Sequence, residues 1–486
     1  MSAAATFHRL TDYSPDRPWD QPQDDPRLRT EYVPNLVDLW PGQVKTYDPD
    51  LPVVGLPTEL PSPGVSASAA LSGQRNGAGR LDLPALTRLL FYSAGVVRYV
   101  DLEDARGRRY LRAAGSAGAT HPLELYVVAN GIDGLPDGVW HHDPIEHRLV
   151  RVGAAPSAGP SYVVITGIPW RTGWRYAERG YRHLWWDCGS LLAQLLALAE
   201  SAGIPAGLRM TFPDHEVGAL VGADGRDEFP LAVVALGTGE PVAKAEGTAA
   251  AGLVGTNVLE FGLVTSTQRA SDVDSWGAGP VPAGPPVEDP GDTDVLEALI
   301  LRRGSTRTFA PAAVLPADCL RWAFAAATRP LPWDAGPSIL RHRIFAHAVQ
   351  GVRPGLYLWS DGELIAERLG DLRDEATYFC ERQTLGGDSG YTAVHSADLG
   401  MLAGERGYRS AQLEAGIVSG RLQLAAFALG RGGSGMSFID DVTEQVVGIS
   451  DAIMLATVIG TADYPGTAGG PPGQPRKLSR LRRPRD

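Results

Sequence analysis

Arg179-Gly180-Tyr181-Arg182 opens a long apolar run that carries Asp187 and Gly189, and about 227 residues later Arg406-Gly407-Tyr408-Arg409 opens another, with Glu414 and Gly416 at the matching places. Gly203 finds a counterpart in Gly430, and after one residue of slippage Met210-Thr211-Phe212 meets Met436-Ser437-Phe438. Upstream, Gly138-Val139-Trp140 reads like Gly355-Leu356-Tyr357, and Leu83-Pro84-Ala85 like Leu315-Pro316-Ala317. A period this long is the duplication of a domain, not a solenoid repeat. The chain therefore carries its own control, because each copy shows what the other has kept or lost.

At 486 residues, with 44% hydrophobic and 21% charged residues, the chain suits two or three globular domains with sizeable cores. A net charge of -12 excludes a general nucleic-acid binder, which needs a basic face. The basic residues cluster once, in the tail Arg476, Lys477, Arg480, Arg482, Arg483 and Arg485. Cys188, Cys319 and Cys380 have neither metal-ligand spacing nor the even count of a disulfide framework. No apolar run approaches the roughly 20 residues that span a bilayer, and no secretory signal opens the chain, so a cytoplasmic protein with no membrane partner is expected.

Composition divides the chain into a Pro- and Asp-rich extended arm over residues 1–70, a first domain over 71–240, a linker rich in Ala, Gly and Pro over 241–292, a second domain over 293–462 and the basic tail 463–486. The apolar patterns read as helices around a mixed sheet, an α+β domain present twice. His141, His142, Asp143 and His147 have only Leu358, Trp359, Ser360 and Leu364 opposite them in the second copy, so no metal is expected and an exposed hairpin turn is. Arg302, Arg303, Ser305 and Arg307 form the densest phosphate-binding cluster, since guanidinium forks and a hydroxyl make strong charge-assisted bonds to an anion. The matching stretch of the first copy, Gly73 to Gly77, keeps Arg75 alone.

Arg302-Arg303-Gly304-Ser305-Thr306-Arg307-Thr308-Phe309 resembles the Arg-Arg-Ser-x-Arg-x-Phe signature of the flavin-dependent nitroreductase superfamily. Gly115-Ser116-Ala117-Gly118-Ala119 with His121-Pro122-Leu123-Glu124 is similar to the corresponding motif of its SagB-type branch, as are Tyr408-Arg409 to Gly416, Asp440-Asp441 and, in the arm, Phe7-His8-Arg9. The resemblance covers roughly 70–240 and 295–462. It implies two tandem nitroreductase-like domains paired as an intramolecular pseudo-dimer, with FMN between them. The implied cofactor site joins Arg302, Arg303, Ser305 and Arg307 with Gly435, Met436 and Ser437 of the second copy and Ser116, Ala117 and Gly118 of the first. Lys477 and Arg480 are the candidates for a further phosphate contact from the tail. The reciprocal site would have Arg75 for phosphate and, in place of the small-residue loop, Arg329 to Gly336 with the bulky Trp333, so one intact and one dead site are expected.

The implied activity is oxidation of peptide thiazolines or oxazolines to azoles, with a modified precursor peptide as substrate and a cyclodehydratase as partner. A Lys-Tyr pair handles the proton in that branch. Tyr181 and Tyr408 stand in the tyrosine place, whereas Gly180 and Gly407 replace the lysine. A flavin oxidoreductase acting on another small molecule or dehydroamino acid, and a non-enzymatic scaffold for a peptide-modifying complex, stay open beside this reading.

Overall fold

The computed structural model describes residues 2–17, 25–29, 34–74, 77–104, 106–291 and 293–481. Its two halves are each an antiparallel sheet packed on one long helix. The first sheet runs, edge to edge, Val53–Gly55, Arg148–Gly153, Gly138–Asp143, Leu123–Ala129, Ser161–Gly167, Phe229–Leu236 and Ala206–Arg209. The second runs Glu363–Leu369, Gly355–Ser360, Arg341–Ala346, Tyr391–Ala397, Ala452–Gly460 and Gly432–Met436, the same order without the added first edge. Both are antiparallel throughout rather than mixed; the parallel pairing is made by the tail, whose Arg476–Lys477 lies beside Val96–Asp101 in a small third sheet.

Strand alternation sorts the side chains. Leu123, Leu125, Val127 and Ala129 face the long helix and join the largest core, while Tyr126 and Val128 join a second cluster on the far face with Val217 and Val221. Burial on both faces explains why these strands read as continuous apolar runs.

The long helices, Gly180–Ser201 and Gly404–Ala428, cross each other at glycines. A Cβ on Gly189 would lie 2.5 Å from the backbone of Gly416 and Ile417, and one on Gly416 would lie 2.8 Å from the Trp186 backbone. Small residues here let two helix backbones touch, and a single hydrophobic core spans both copies, with Leu192 and Leu195 beside Leu413 and Ile417.

The duplication reaches further than the sequence indicated. Segment 241–292 is not a plain linker: it carries the helix Gly262–Ala270, which mirrors the arm helix Ala3–Leu10. Arg182 donates to Thr11 Oγ1, the His8 carbonyl, Asp12 and Asp440. Arg409 donates to Ser271 Oγ, the Gln268 carbonyl, Asp272 and Asp214, the same four kinds of acceptor. Arg179 stands over Phe438 at 4.9 Å and Arg406 over Phe212 at 4.6 Å. Each copy thus owns an N-terminal arm whose helix is fastened by buried guanidinium–carboxylate bonds across the junction of the two copies.

Candidate functional site

Arg303 ends the helix Leu296–Arg302, and the chain then turns so that Thr306 N–H donates to the Gly433 carbonyl at 3.0 Å. The arginine segment is thereby bonded to the strand Gly432–Met436 that leads into Ser437. From the first copy the loop 115–119 comes in against it: a Cβ on Gly115 would lie 3.4 Å from Arg303 Nη1 and 3.9 Å from Ser305 Oγ. Arg303 donates to the Ala113 carbonyl at 2.7 Å, and Arg98 of the first copy donates back to the Arg303 carbonyl at 3.0 Å.

The other end of the loop meets Arg175 and Tyr176. A Cβ on Gly118 would lie 3.0 Å from the Tyr176 hydroxyl and closer still to Arg175, so this φ of +56° at a glycine serves a close approach as well as a turn. Arg175 Nε donates to the Tyr176 hydroxyl at 3.2 Å, and the tyrosine ring stacks on His183 with centroids 3.9 Å apart. Burial raises the Tyr176 hydroxyl above its ordinary range against the pull of Arg175. Asp187 fixes the loop from the helix below, accepting from Ser116 Oγ at 2.5 Å and Ala117 N–H at 2.8 Å. Burial lifts its carboxyl to about 7. A cavity of about 240 Å³, including space open to solvent, lies between this loop, Arg112, His121 and Asp187.

The electrostatics of this corner are one-sided. Burial, and after it the charge of Arg98, pushes the Arg303 guanidinium down to about 10, and its buried Nε has no partner. Burial also lowers Arg307, whose electrostatic neighbours are Tyr464, Tyr176 and Arg175. Among the described residues neither arginine forms an ion pair. Buried guanidiniums with no carboxylate are costly unless an anion is bound, and the donors fit a phosphate.

Arg303, Ser305, Arg307, Ser116, Ala117 and Gly118 are therefore brought together, with Gly435, Met436 and Ser437 continuing from the strand that binds the arginine segment. Arg302 does not join them: exposed, it pairs with Asp294 and the Phe427 carbonyl, because it is the last helical residue and points outward. Lys477 pairs with Asp101 at 2.7 Å on the surface and Arg480 is exposed; the tail residue in register with Arg98 is Arg476. Tyr181 and Tyr408 also lie elsewhere. Each is 1% exposed, and their hydroxyls reach the arm helices, Tyr408 to His8 Nδ1 at 3.0 Å and Tyr181 to the Gln268 amide at 2.9 Å. They fasten arms instead of lining the loop. Asp12 and Asp440 cluster with His8, but Arg179 and Arg182 already hold both carboxylates. His141 and His142 sit in a hairpin, as expected, yet buried: His141 bonds Glu124 at 2.8 Å, while His147 bonds the Pro57 carbonyl.

Sequence reasoning missed Arg175 and Tyr176. The signal was present, since the same 227-residue offset places Leu402 and Ala403 opposite them. It also misplaced the second copy's small-residue loop. Glu414, lifted to about 7 by burial, has Ser338 as its stabilising neighbour, where Asp187 accepts from Ser116. Only Ile339 and Leu340 separate Ser338 from its strand, so this loop is shortened.

The reciprocal corner is filled by the chain itself. Asp334 accepts from Met210 N–H at 2.7 Å and Thr211 N–H at 3.2 Å, and Trp333, 4% exposed, bridges to Leu208. The Arg329 guanidinium covers Gly73 and pairs with Glu200. Residues 277–287 run across, with Gly277 N–H on the Thr211 carbonyl, Val281 N–H on Trp333 and Val287 N–H on Ser72. Arg75 lies outside the described residues.

No family model matches the chain. It is similar to a putative nitroreductase of Methanocaldococcus jannaschii, 28% identical over 172 residues, which are 32% of this chain and 81% of that protein. It is also similar to the trifolitoxin-processing protein TfxB of Rhizobium leguminosarum bv. trifolii, 26% identical over 230 residues, 42% of this chain and 60% of that one. The crystal structure of a putative nitroreductase from Anabaena variabilis superposes with a TM-score of 0.71 at 23% identity, over 95% of this chain and 99% of that one.

Proposed function

We propose, from the nitroreductase-like fold of the whole chain, that the protein is an FMN-dependent oxidoreductase with one working site, and that it oxidises azolines in a modified precursor peptide to azoles. The observation that carries the reading is the meeting of Arg303 and Ser305 from one copy with Gly115 from the other, around buried guanidiniums without a carboxylate. Arg303, Ser305 and Arg307 would hold the phosphate. The backbone of 116–118 and of 435–437 would flank the ring system, with Asp187 keeping the loop in shape. FMN supplies the two-electron acceptor for a hydride. The chain supplies position and proton handling: Tyr176, kept protonated by burial, is a hydrogen-bond donor at the loop. A relative named for processing trifolitoxin supports a peptide substrate.

Flavin released from purified protein, counted against the chain, tests this reading. One FMN per chain is expected. A ratio near two would show that the Trp333 corner binds as well, and colourless protein that takes up no added FMN would leave a scaffold.

A further inference from the structure

The second copy has a feature that the first lacks. Between the sheet edge and the strand beside the long helix the first copy has only residues 154–160, whereas the second has 370–390, with helices Arg373–Phe379 and Leu385–Asp388. This insertion belongs to the copy that keeps Arg303 and Ser437. Its end is tied to the site, because Ile439 N–H donates to the Phe379 carbonyl at 2.8 Å. Two residues on, Glu381 Oε1 accepts from Ser437 Oγ at 3.0 Å, and among the described residues that bond engages only one of the two carboxylate oxygens.

The backbone holds Glu381 there at a cost. Glu381 and Arg382 have successive φ values of +56° and +58°, left-handed conformations that are unfavourable for residues with a Cβ. The carboxylate is half-buried, and burial raises its affinity for a proton. The charged and titratable groups that face it are Arg179 and Arg175, which favour its ionised form, Asp440, which opposes it, and the tyrosines Tyr13 and Tyr176, each of which feels its charge. Tyr176 links it to the loop of the first copy.

We propose that Glu381 is the proton acceptor of the reaction, its second oxygen presented beside Ser437 by the insertion. The inference rests on the azoline reading above. Two C–H bonds of the ring break. One leaves as hydride, with two electrons, to FMN; the other gives its proton to Glu381 Oε2 while its electron pair becomes the new ring double bond. The proton then passes to water, and dioxygen re-oxidises the cofactor.

The test compares holoenzyme with Glu381→Gln and Glu381→Asp. Both variants keep FMN, since Glu381 touches none of the phosphate donors. Inorganic sulfite, which adds to flavins at the hydride-accepting nitrogen, is titrated by loss of the visible absorption. Removing a nearby negative charge in Glu381→Gln tightens sulfite binding about tenfold, and Glu381→Asp leaves it near wild type. With a synthetic peptide carrying one thiazoline, Glu381→Gln lowers turnover about 10²- to 10⁴-fold and the acidic limb of the pH profile disappears. Unchanged sulfite affinity in Glu381→Gln overturns the proposal whatever the substrate, as does wild-type turnover of the peptide by that variant. Flavin-loaded wild type that binds sulfite but oxidises no thiazoline overturns the azoline reading, and with it a proton role in that reaction. The sulfite comparison still reports where Glu381 stands.

Discussion

The two corners of the molecule began as equivalents and now differ in charge. At one, Arg303 is buried against Ala113 and opposed by Arg98, with no ion pair among the described residues. At the other, Arg329 is buried against Gly73 and paired with Glu200, and Asp334 has taken the amides of Met210 and Thr211. The amides of the first copy that match Met436 and Ser437 are thus spent on the chain's own side chain. A site is lost here by being satisfied internally, because the Arg329 charge is already paired with Glu200 and the two amides with Asp334.

The comparison breaks most directly at the two arginines. Arg303→Ala should weaken FMN binding about 100-fold, because charge-assisted bonds to a phosphate contribute roughly 1.5–3 kcal/mol each. Arg329→Ala should leave flavin affinity unchanged and instead lower stability by removing the pair with Glu200. Fluorescence titration of apoprotein with FMN, beside urea unfolding of each variant, measures both. Equal flavin loss from the two substitutions would end the distinction between the corners.

A feature that both copies share, through Asp187 and Glu414, is read by pH. Asp187 rises from an ordinary value of 3.8 to about 7, so the native state keeps a proton that the unfolded chain has already released. Stability from this group is complete below about pH 4 and is lost as pH rises through 7. One pKa unit is worth about 1.4 kcal/mol, and with part of the shift discounted the loss is roughly 2 kcal/mol. Asp187→Asn should lessen that fall between about pH 4 and 7 in urea unfolding, the rest coming from Glu414, while keeping the bonds to Ser116 and Ala117. A fall as steep as in wild type would assign the burial cost elsewhere.

The duplication and the long helices were legible because each rests on short local patterns that occur twice. Position within the fold was less so. Arg302 and Arg303 are adjacent and chemically alike, yet one ends a helix facing solvent and the other turns inward. Tyr181 and Tyr408 repeat faithfully because both fasten arm helices, so repetition marked structure there and not chemistry. Arg175 and Tyr176 carry the opposite signal, present in one copy and absent in the other. The second arm helix escaped notice because Gln268, Arg269, Ser271 and Asp272 keep the polarity of His8, Arg9, Thr11 and Asp12 but only two of the four identities.

The helix crossing holds the two corners at a fixed distance, and its glycines set a smaller effect. Gly189→Ala places a methyl 2.5 Å from the opposing backbone, where no side chain can move aside. Overpacking of this kind costs about 1–3 kcal/mol. Gly262→Ala, on a helix where a Cβ meets nothing within 4 Å, is the control and should be neutral. Denaturant midpoints for the pair decide whether backbone contact at the crossing matters.

The smallest expected effect separates the tyrosines that fasten from the one that faces the loop. Tyr408→Phe removes a hydroxyl that meets His8 in a site with no exposed surface, and Tyr181→Phe removes its counterpart on Gln268. Each should cost about 1 kcal/mol of stability, the usual worth of a buried hydrogen bond, and leave flavin content and thiazoline turnover near wild type. Tyr176→Phe should do the reverse, because its hydroxyl lies against Gly118 and bonds only its neighbour Arg175 among the partners that geometry identifies. Loss of turnover in Tyr408→Phe at full flavin content would return the proton chemistry to the arm, and would mean that His8 communicates with the loop through a path other than the contacts described.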